Sequence, residues 1–171
     1  MTENGITPGS YIVIDHDDES REVETYIEFM RLAIMQANLA EPSSNTFNTG
    51  VLLVNGTILI GEGHTREAHA PQQHAAECAI AKARRSKQAY LLRSATMYTT
   101  MEPCSSTRMS KVPCTTHIIN ANIARVVIGV KEPESFVNCK GVETLCAAGI
   151  DVVHLKILQE ECLATNIHLL T

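Results

Sequence analysis

Three side chains in this sequence are of the right types, at suggestive places, to hold a metal. His74 opens the alanine-rich stretch "HAAECAI", while Cys104 and Cys114 bound "CSSTRMSKVPC", each directly after a proline. One imidazole and two thiols are ligands that zinc accepts, and a catalytic zinc keeps three protein ligands with water in the fourth position. Nine residues separate the two cysteines, too many for a C-x-x-C knuckle. The fold must therefore bring the donors together. Taken singly, each cysteine reads as readily as a small buried apolar residue. Taken jointly, one "PC" after a strand and another opening a helix point to a site.

The segment between the cysteines holds Ser105, Ser106, Thr107, Arg108, Ser110 and Lys111. Hydroxyls and two cations beside a metal suit an anionic group, most simply a phosphate. Ser106, Arg108, Ser110 and Lys111 are therefore candidate substrate contacts, with a polar surface loop as the plain alternative. Cys78, Cys139, Cys146 and Cys162 read as buried residues without a role. Of the remaining histidines, His64 is the one to watch, because it leaves a hairpin into the loop facing the expected site. His69, His117, His154 and His168 read as surface or core residues.

The elements that must position these side chains follow from periodicity. From Val23, the apolar positions Tyr26, Ile27, Met30, Ile34 and Ala37 recur at helical spacing, to about Ala40 before Pro42. Ser20 or Asp18 can cap that helix. "VLLVNGTILI" is two apolar runs about Asn55-Gly56, which predicts a type I′ hairpin. An alanine-rich helix from His74 or Ala75 to Lys87 is nearly apolar all round and belongs in an interior. "ATMYTT" (95–100), "RVVIGV" (125–130) and "DVVHL" (151–155) read as strands, separated by helices at Cys114–Ala121 and Gly141–Ala148. The tail from Ile157 is a candidate last helix.

Strands joined through helices run parallel. The expected fold is therefore α/β, a three-layer α/β/α arrangement around a five-stranded mixed sheet. Ligands of such sheets gather at the carboxyl ends of strands, beside the helix starts that follow. His74, Cys104 and Cys114 all fall there.

The 171 residues suit one domain, read as an N-terminal extension (1–22), a core domain (23–156) and a C-terminal helix or tail (157–171). A net charge of −5 disfavours nucleic acid, so no nucleic-acid partner is expected. No apolar run approaches a membrane span, so no membrane partner is expected either. The first twenty residues lack a basic n-region and a long apolar stretch, which predicts a cytoplasmic, reducing location. There the six cysteines would be ligands or buried thiols and not disulfides.

With these residues in hand, the chain resembles the cytidine-deaminase-like superfamily. "HAAECAI", "YTTMEPCSSTRMSKVPC" and "VVIGVKEPESFV" are most similar to its riboflavin-pathway deaminases, in particular the fungal, deaminase-only type. The likeness covers roughly Glu24 to Leu155. It implies Zn2+ on His74, Cys104 and Cys114, and a substrate that is a small phosphorylated pyrimidine, 2,5-diamino-6-ribitylamino-4(3H)-pyrimidinone 5′-phosphate. Hydrolysis would release its 2-amino group as ammonia. A homo-oligomer, with a dimer favoured, completes the expectation. The family's substrate-contacting asparagine falls near Asn48, with Asn45 as the other candidate.

At one position the resemblance breaks. The superfamily signature is H-x-E, whose glutamate is the general acid/base, and the residue two after His74 is Ala76. Shifting the register by one would recruit Glu77 but place Ala75 at the histidine ligand. In the first register the chain is a deaminase impaired at Ala76, as a substrate-trapping substitution would leave it. Two other readings stay open: a deaminase of another nucleotide, base or tRNA, and a natural pseudo-deaminase whose zinc is structural and whose role is binding.

Overall fold

The computed structural model describes residues 7–16, 19–106, 112–132 and 139–170. Its first helix, α1 (Arg21–Ala37), starts at Ser20, whose hydroxyl accepts from the Val23 amide at 3.3 Å. Glu22 and Glu24 occupy its first turn, where the helix dipole favours acids. Val23, Tyr26, Met30, Ala33 and Ala37 form its buried face. Small residues on that face let it lie flat on the sheet. A Cβ on Gly50 would stand 1.9 Å from the Ala33 carbonyl oxygen.

The hairpin pairs β2 (Gly50–Asn55) with β3 (Ile58–His64). Its turn is one residue away from the expected one. Asn55 pairs with Ile58, so Gly56 and Thr57 are central, and of these only Gly56 has a positive φ, at 61°. That is the pattern of a type II′ turn, with glycine first, and not of type I′. A register shift between Leu53 and Val54 accompanies it.

Four further helices and three strands follow: α2 (Ala75–Arg85), β4 (Thr96–Met101), α3 (Cys114–Asn120), β5 (Arg125–Val130), α4 (Gly141–Ala147), β6 (Asp151–Leu155) and α5 (Gln159–Ala164). The sheet also takes in β1 (Tyr11–Ile14), which pairs in parallel with β6, so it has six strands where five were expected. The order is β1-β6-β5-β4-β2-β3, with β1, β6, β5 and β4 parallel and the hairpin antiparallel at the far edge. The run "YIVI" is strand-like in the sequence, but its place in the sheet does not show there because an edge strand of four residues buries neither face. Tyr11, Ile12 and Val13 all remain exposed.

Helices cover both faces. α2, α3 and α4 pack Ala79, Ile80, Ile118 and Leu145 against Val51, Met97, Val126 and Val152. On the other face, Met30 of α1 and Cys162 of α5 meet Leu52, Tyr98, Val127 and Val153. Each large apolar side chain fully buried in this way contributes roughly 1.5–3 kcal/mol. The alternation along β5 and β6, one residue to each layer, holds the sheet between them. No helix among the described residues is long and apolar enough to cross a membrane.

Candidate metal and active site

Each of the three donors sits at a junction that the fold holds tightly. His74 is the N-cap residue of α2, with extended backbone, and its side chain does not cap the helix. α2 in turn rests directly on β3: a Cβ on Gly63 would meet the Ala75 carbonyl oxygen at 2.6 Å and the Ala79 nitrogen at 2.8 Å. Cys104 follows β4 after Glu102 and Pro103. Cys114 is the first residue of α3, behind Pro113, whose ring fixes the entry into the helix. The Cys114 amide donates to the Cys104 sulfur at 3.3 Å, and the Thr115 amide to the Cys104 carbonyl at 3.2 Å.

These junctions meet. His74 Nδ1 stands 3.3 Å from Cys114 Sγ and 3.4 Å from Cys104 Sγ, and all three donor atoms lie within 4.8 Å of one another. Cys114 is buried, Cys104 half-buried and His74 exposed, so the cluster opens to solvent on its imidazole side. Zinc–sulfur and zinc–nitrogen bonds of about 2.3 and 2.0–2.1 Å in a tetrahedron place N and S about 3.6 Å apart. The observed spacings are a few tenths of an ångström shorter, so small adjustments would admit the ion. Among the described residues no fourth His, Cys, Asp or Glu joins this group, which matches the donor count of a catalytic centre.

The thiols are electrostatically unequal. A hydrogen bond from the Cys114 thiol, opposed by burial and assisted by His74, holds Cys104 well below the usual thiol range. The same hydrogen bond and burial push Cys114 up. A thiolate is the form that binds metal, and Cys104 is prepared to be one.

Ala76, the second residue of α2, is 5% exposed and shares a buried cluster with Cys114. Glu77 is half-buried, and its charge reaches Cys114. Of the other candidates, His64 ends β3 with Nδ1 3.0 Å from the Thr65 carbonyl. Asn48 is buried, its Oδ1 accepting from Arg66 and its Nδ2 donating to Thr165 O at 3.4 Å, so both ends of its amide are engaged inside the protein. Asn45 is exposed and accepts from the Ser43 hydroxyl. Ser106 is exposed, and Arg108, Ser110 and Lys111 lie outside the described residues.

Three carboxylates escaped the sequence reading. Glu67, 3% exposed, takes hydrogen bonds from Lys82 Nζ at 2.7 Å and the His64 amide at 3.1 Å, with His69 Nε2 at 3.2 Å. It ties the loop after β3 to α2, and so to His74. Glu102 is buried two residues before Cys104, and Glu132 stands where its charge interacts with Cys104 and His74. An acid directly after an apolar strand, in "TTMEPC", was the available signal for Glu102.

Residues 23–130 match the family model described as "Cytidine and deoxycytidylate deaminase zinc-binding region". A Schizosaccharomyces pombe relative, "Diaminohydroxyphosphoribosylamino-pyrimidine deaminase", is 38% identical over 136 residues, covering 80% of this chain and 33% of the relative. The chain spans about a third of the length of the curated relatives it matches. Among solved structures, the Aspergillus oryzae Rib2 deaminase superposes with a TM-score of 0.71 at 27% identity, over 82% of this chain and 89% of that one. A Thermotoga maritima diaminohydroxyphosphoribosylaminopyrimidine deaminase/reductase gives 0.73 at 33% identity, over 85% and 40%.

Proposed function

Because this chain belongs to the family of the cytidine and deoxycytidylate deaminase zinc-binding region, we propose that it is a riboflavin-pathway pyrimidine deaminase domain that lacks its proton carrier. Its ligand is 2,5-diamino-6-ribitylamino-4(3H)-pyrimidinone 5′-phosphate. The observation that carries this reading is the meeting of His74, Cys104 and Cys114 with an alanine two residues after the histidine. We take residues 23–156 as the deaminase unit and a homo-oligomer, dimer favoured, in the cytoplasm as its working form.

His74, Cys104 and Cys114 would hold zinc. When bound, zinc supplies Lewis acidity and an activated water for hydrolysis. The protein's remaining task is proton traffic: a proton must leave the attacking water, reach the ring nitrogen and depart with the 2-amino group as ammonia. A carboxylate two residues after the histidine does this in the H-x-E deaminases. The Ala76 methyl cannot carry a proton, so the chain binds but barely turns over. Arg108 and Lys111 hold the phosphate, Ser106 and Ser110 assist, and His64 lines the rim. Asn48, whose amide already engages Arg66 and Thr165, offers its remaining amide hydrogen or lone pair to the ligand.

Calorimetric titration of the zinc-loaded chain with the diaminopyrimidine phosphate tests this. Binding that weakens when the phosphate is removed supports the assignment; no binding at all sinks it. A charge-assisted contact contributes about 1.5–3 kcal/mol, so Arg108→Ala and Lys111→Ala should each weaken the phosphorylated ligand and spare the dephosphorylated one. Ala76 also favours a second reading, a domain whose function is binding alone. Under that reading Ala76→Glu gains no activity although zinc and ligand are bound.

A further inference from the structure

The Glu102 carboxylate is fully used, and by two distant segments. Oε1 accepts from the Val142 amide at 2.9 Å, in the first turn of α4, and Oε2 accepts from the Glu132 amide at 3.0 Å, just after β5. Its own amide donates to Val130 O at 2.8 Å. The bonds on either side follow the same plan. The Ser105 hydroxyl accepts from the Lys140 amide at 3.0 Å, and the Cys139 thiol lies 3.6 Å from Pro103 O. A Cβ on Gly141 would stand 2.1 Å from Pro103 O and 3.0 Å from the Glu102 Cγ, so only glycine allows α4 to approach this closely. The segment that delivers Cys104 thus fastens both ends of the β5–α4 connection.

A buried carboxylate is costly unless its lone pairs are satisfied. Here two backbone amides satisfy it, and the arrangement fixes the backbone on which Glu132 stands. Burial pushes the Glu132 carboxyl up, a hydrogen bond with Cys139 opposes this, and the charges of Glu102, Cys104 and His74 all act on it. With alanine at position 76, Glu132 is an acid whose backbone the Glu102 bond fixes and whose charge acts on Cys104 and His74.

We infer that Glu102 is a positioning residue: by bridging the Glu132 and Val142 amides it holds the Glu132 carboxylate at the substrate side of the cluster formed by His74, Cys104 and Cys114. The inference rests on the deaminase reading for what Glu132 meets, a cationic or amine-bearing face of the ligand. Glutamine at 102 is isosteric but presents a donor to one of the two amides, so that bond is lost while the packing is kept.

The experiment places Glu102→Gln and Glu132→Gln, singly and together, in the Ala76→Glu chain and measures zinc content, kcat and KM. The expected result is zinc unchanged, KM raised about tenfold by either substitution with kcat within about threefold, and a double variant no worse than the singles, as coupled residues behave. Loss of zinc, a fall in kcat with KM intact, or effects that multiply would each overturn it. If the Ala76→Glu chain is inactive and the parent binds no pyrimidine phosphate, the deaminase reading fails separately. Amide exchange then decides the inference. Glu102→Gln should speed exchange about tenfold, with zinc retained, at whichever of the Glu132 and Val142 amides faces the glutamine nitrogen, and unchanged exchange at both would refute it.

Discussion

The backbone amide of Cys114 donates to the sulfur of Cys104 across 3.3 Å. The start of α3 therefore secures the sulfur that follows β4 with its main chain, and offers its own side chain to the same centre. These two contributions can be separated. Cys114→Ser keeps the amide and the helix start but removes a thiolate that zinc requires. Zinc should fall from about one per chain in the parent to substoichiometric levels after dialysis, with thermal unfolding of the apo protein little changed. Metal analysis with unchanged zinc would remove Cys114 from the site.

The position of His74 depends on how closely α2 approaches β3. Gly63 has no room for a methyl, since the atoms it would strike are helix backbone at 2.6 and 2.8 Å. Gly63→Ala must lift the first turn of α2, and overpacking of this kind costs about 1–3 kcal/mol. The urea midpoint should drop accordingly. Zinc affinity should fall with it, although residue 63 touches no donor. A variant of normal stability and normal zinc content would show that α2 can slide without moving His74.

Glu67 makes acid stability a local matter. Burial pushes its carboxyl up, but the Lys82 hydrogen bond, the His64 amide and the Lys82 charge outweigh burial, so it titrates below its ordinary value of 4.5. A carboxyl depressed in the folded state stabilises the protein above the unfolded value and loses that contribution as pH falls toward the folded one. Stability should therefore decline below about pH 4.5. Glu67→Gln should cost about 1–3 kcal/mol near neutrality and flatten that decline. Urea unfolding at several pH values measures both; parallel curves for the two proteins would exclude Glu67 as the source.

Sequence patterns locate some parts of this molecule to the residue and miss others for physical reasons. β5 and β6 are continuous apolar runs buried on both faces, so composition alone marks Arg125–Val130 and Asp151–Leu155. The helix starts at His74 and Cys114 are equally legible, because proline and alanine-rich composition announce them. The hairpin turn is displaced by one residue because pairing register, and not the Asn-Gly dipeptide, selects its central pair. β1 shows as a strand-like "YIVI", but its membership of the sheet does not, because its partner, β6, lies about 140 residues away and an edge strand needs no alternation. Glu67 and Glu102 look like ordinary surface acids until the fold brings partners from 15, 30 and 40 positions away.

The decisive substitution is at Ala76. The site places His74 Nδ1 against both thiols, which favours the register with the general acid/base at position 76. Ala76→Glu should therefore release ammonia from the diaminopyrimidine phosphate. Positioned acid–base catalysis contributes about 10²–10⁴-fold, and one carboxylate serving several proton transfers should give at least that gain over the parent. Zinc content should stay level, since the residue is no ligand. The rival register predicts instead that Ala75→His restores activity by completing the metal site. Ala75 argues against this, being 1% exposed with its carbonyl pressed over Gly63, so an imidazole there has no space and should destabilise the fold. Assayed side by side with zinc bound, an active Ala76→Glu and an inactive Ala75→His fix the register. Activity only in Ala75→His reverses it, and silence from both, with ligand still binding, leaves a domain whose work is recognition alone.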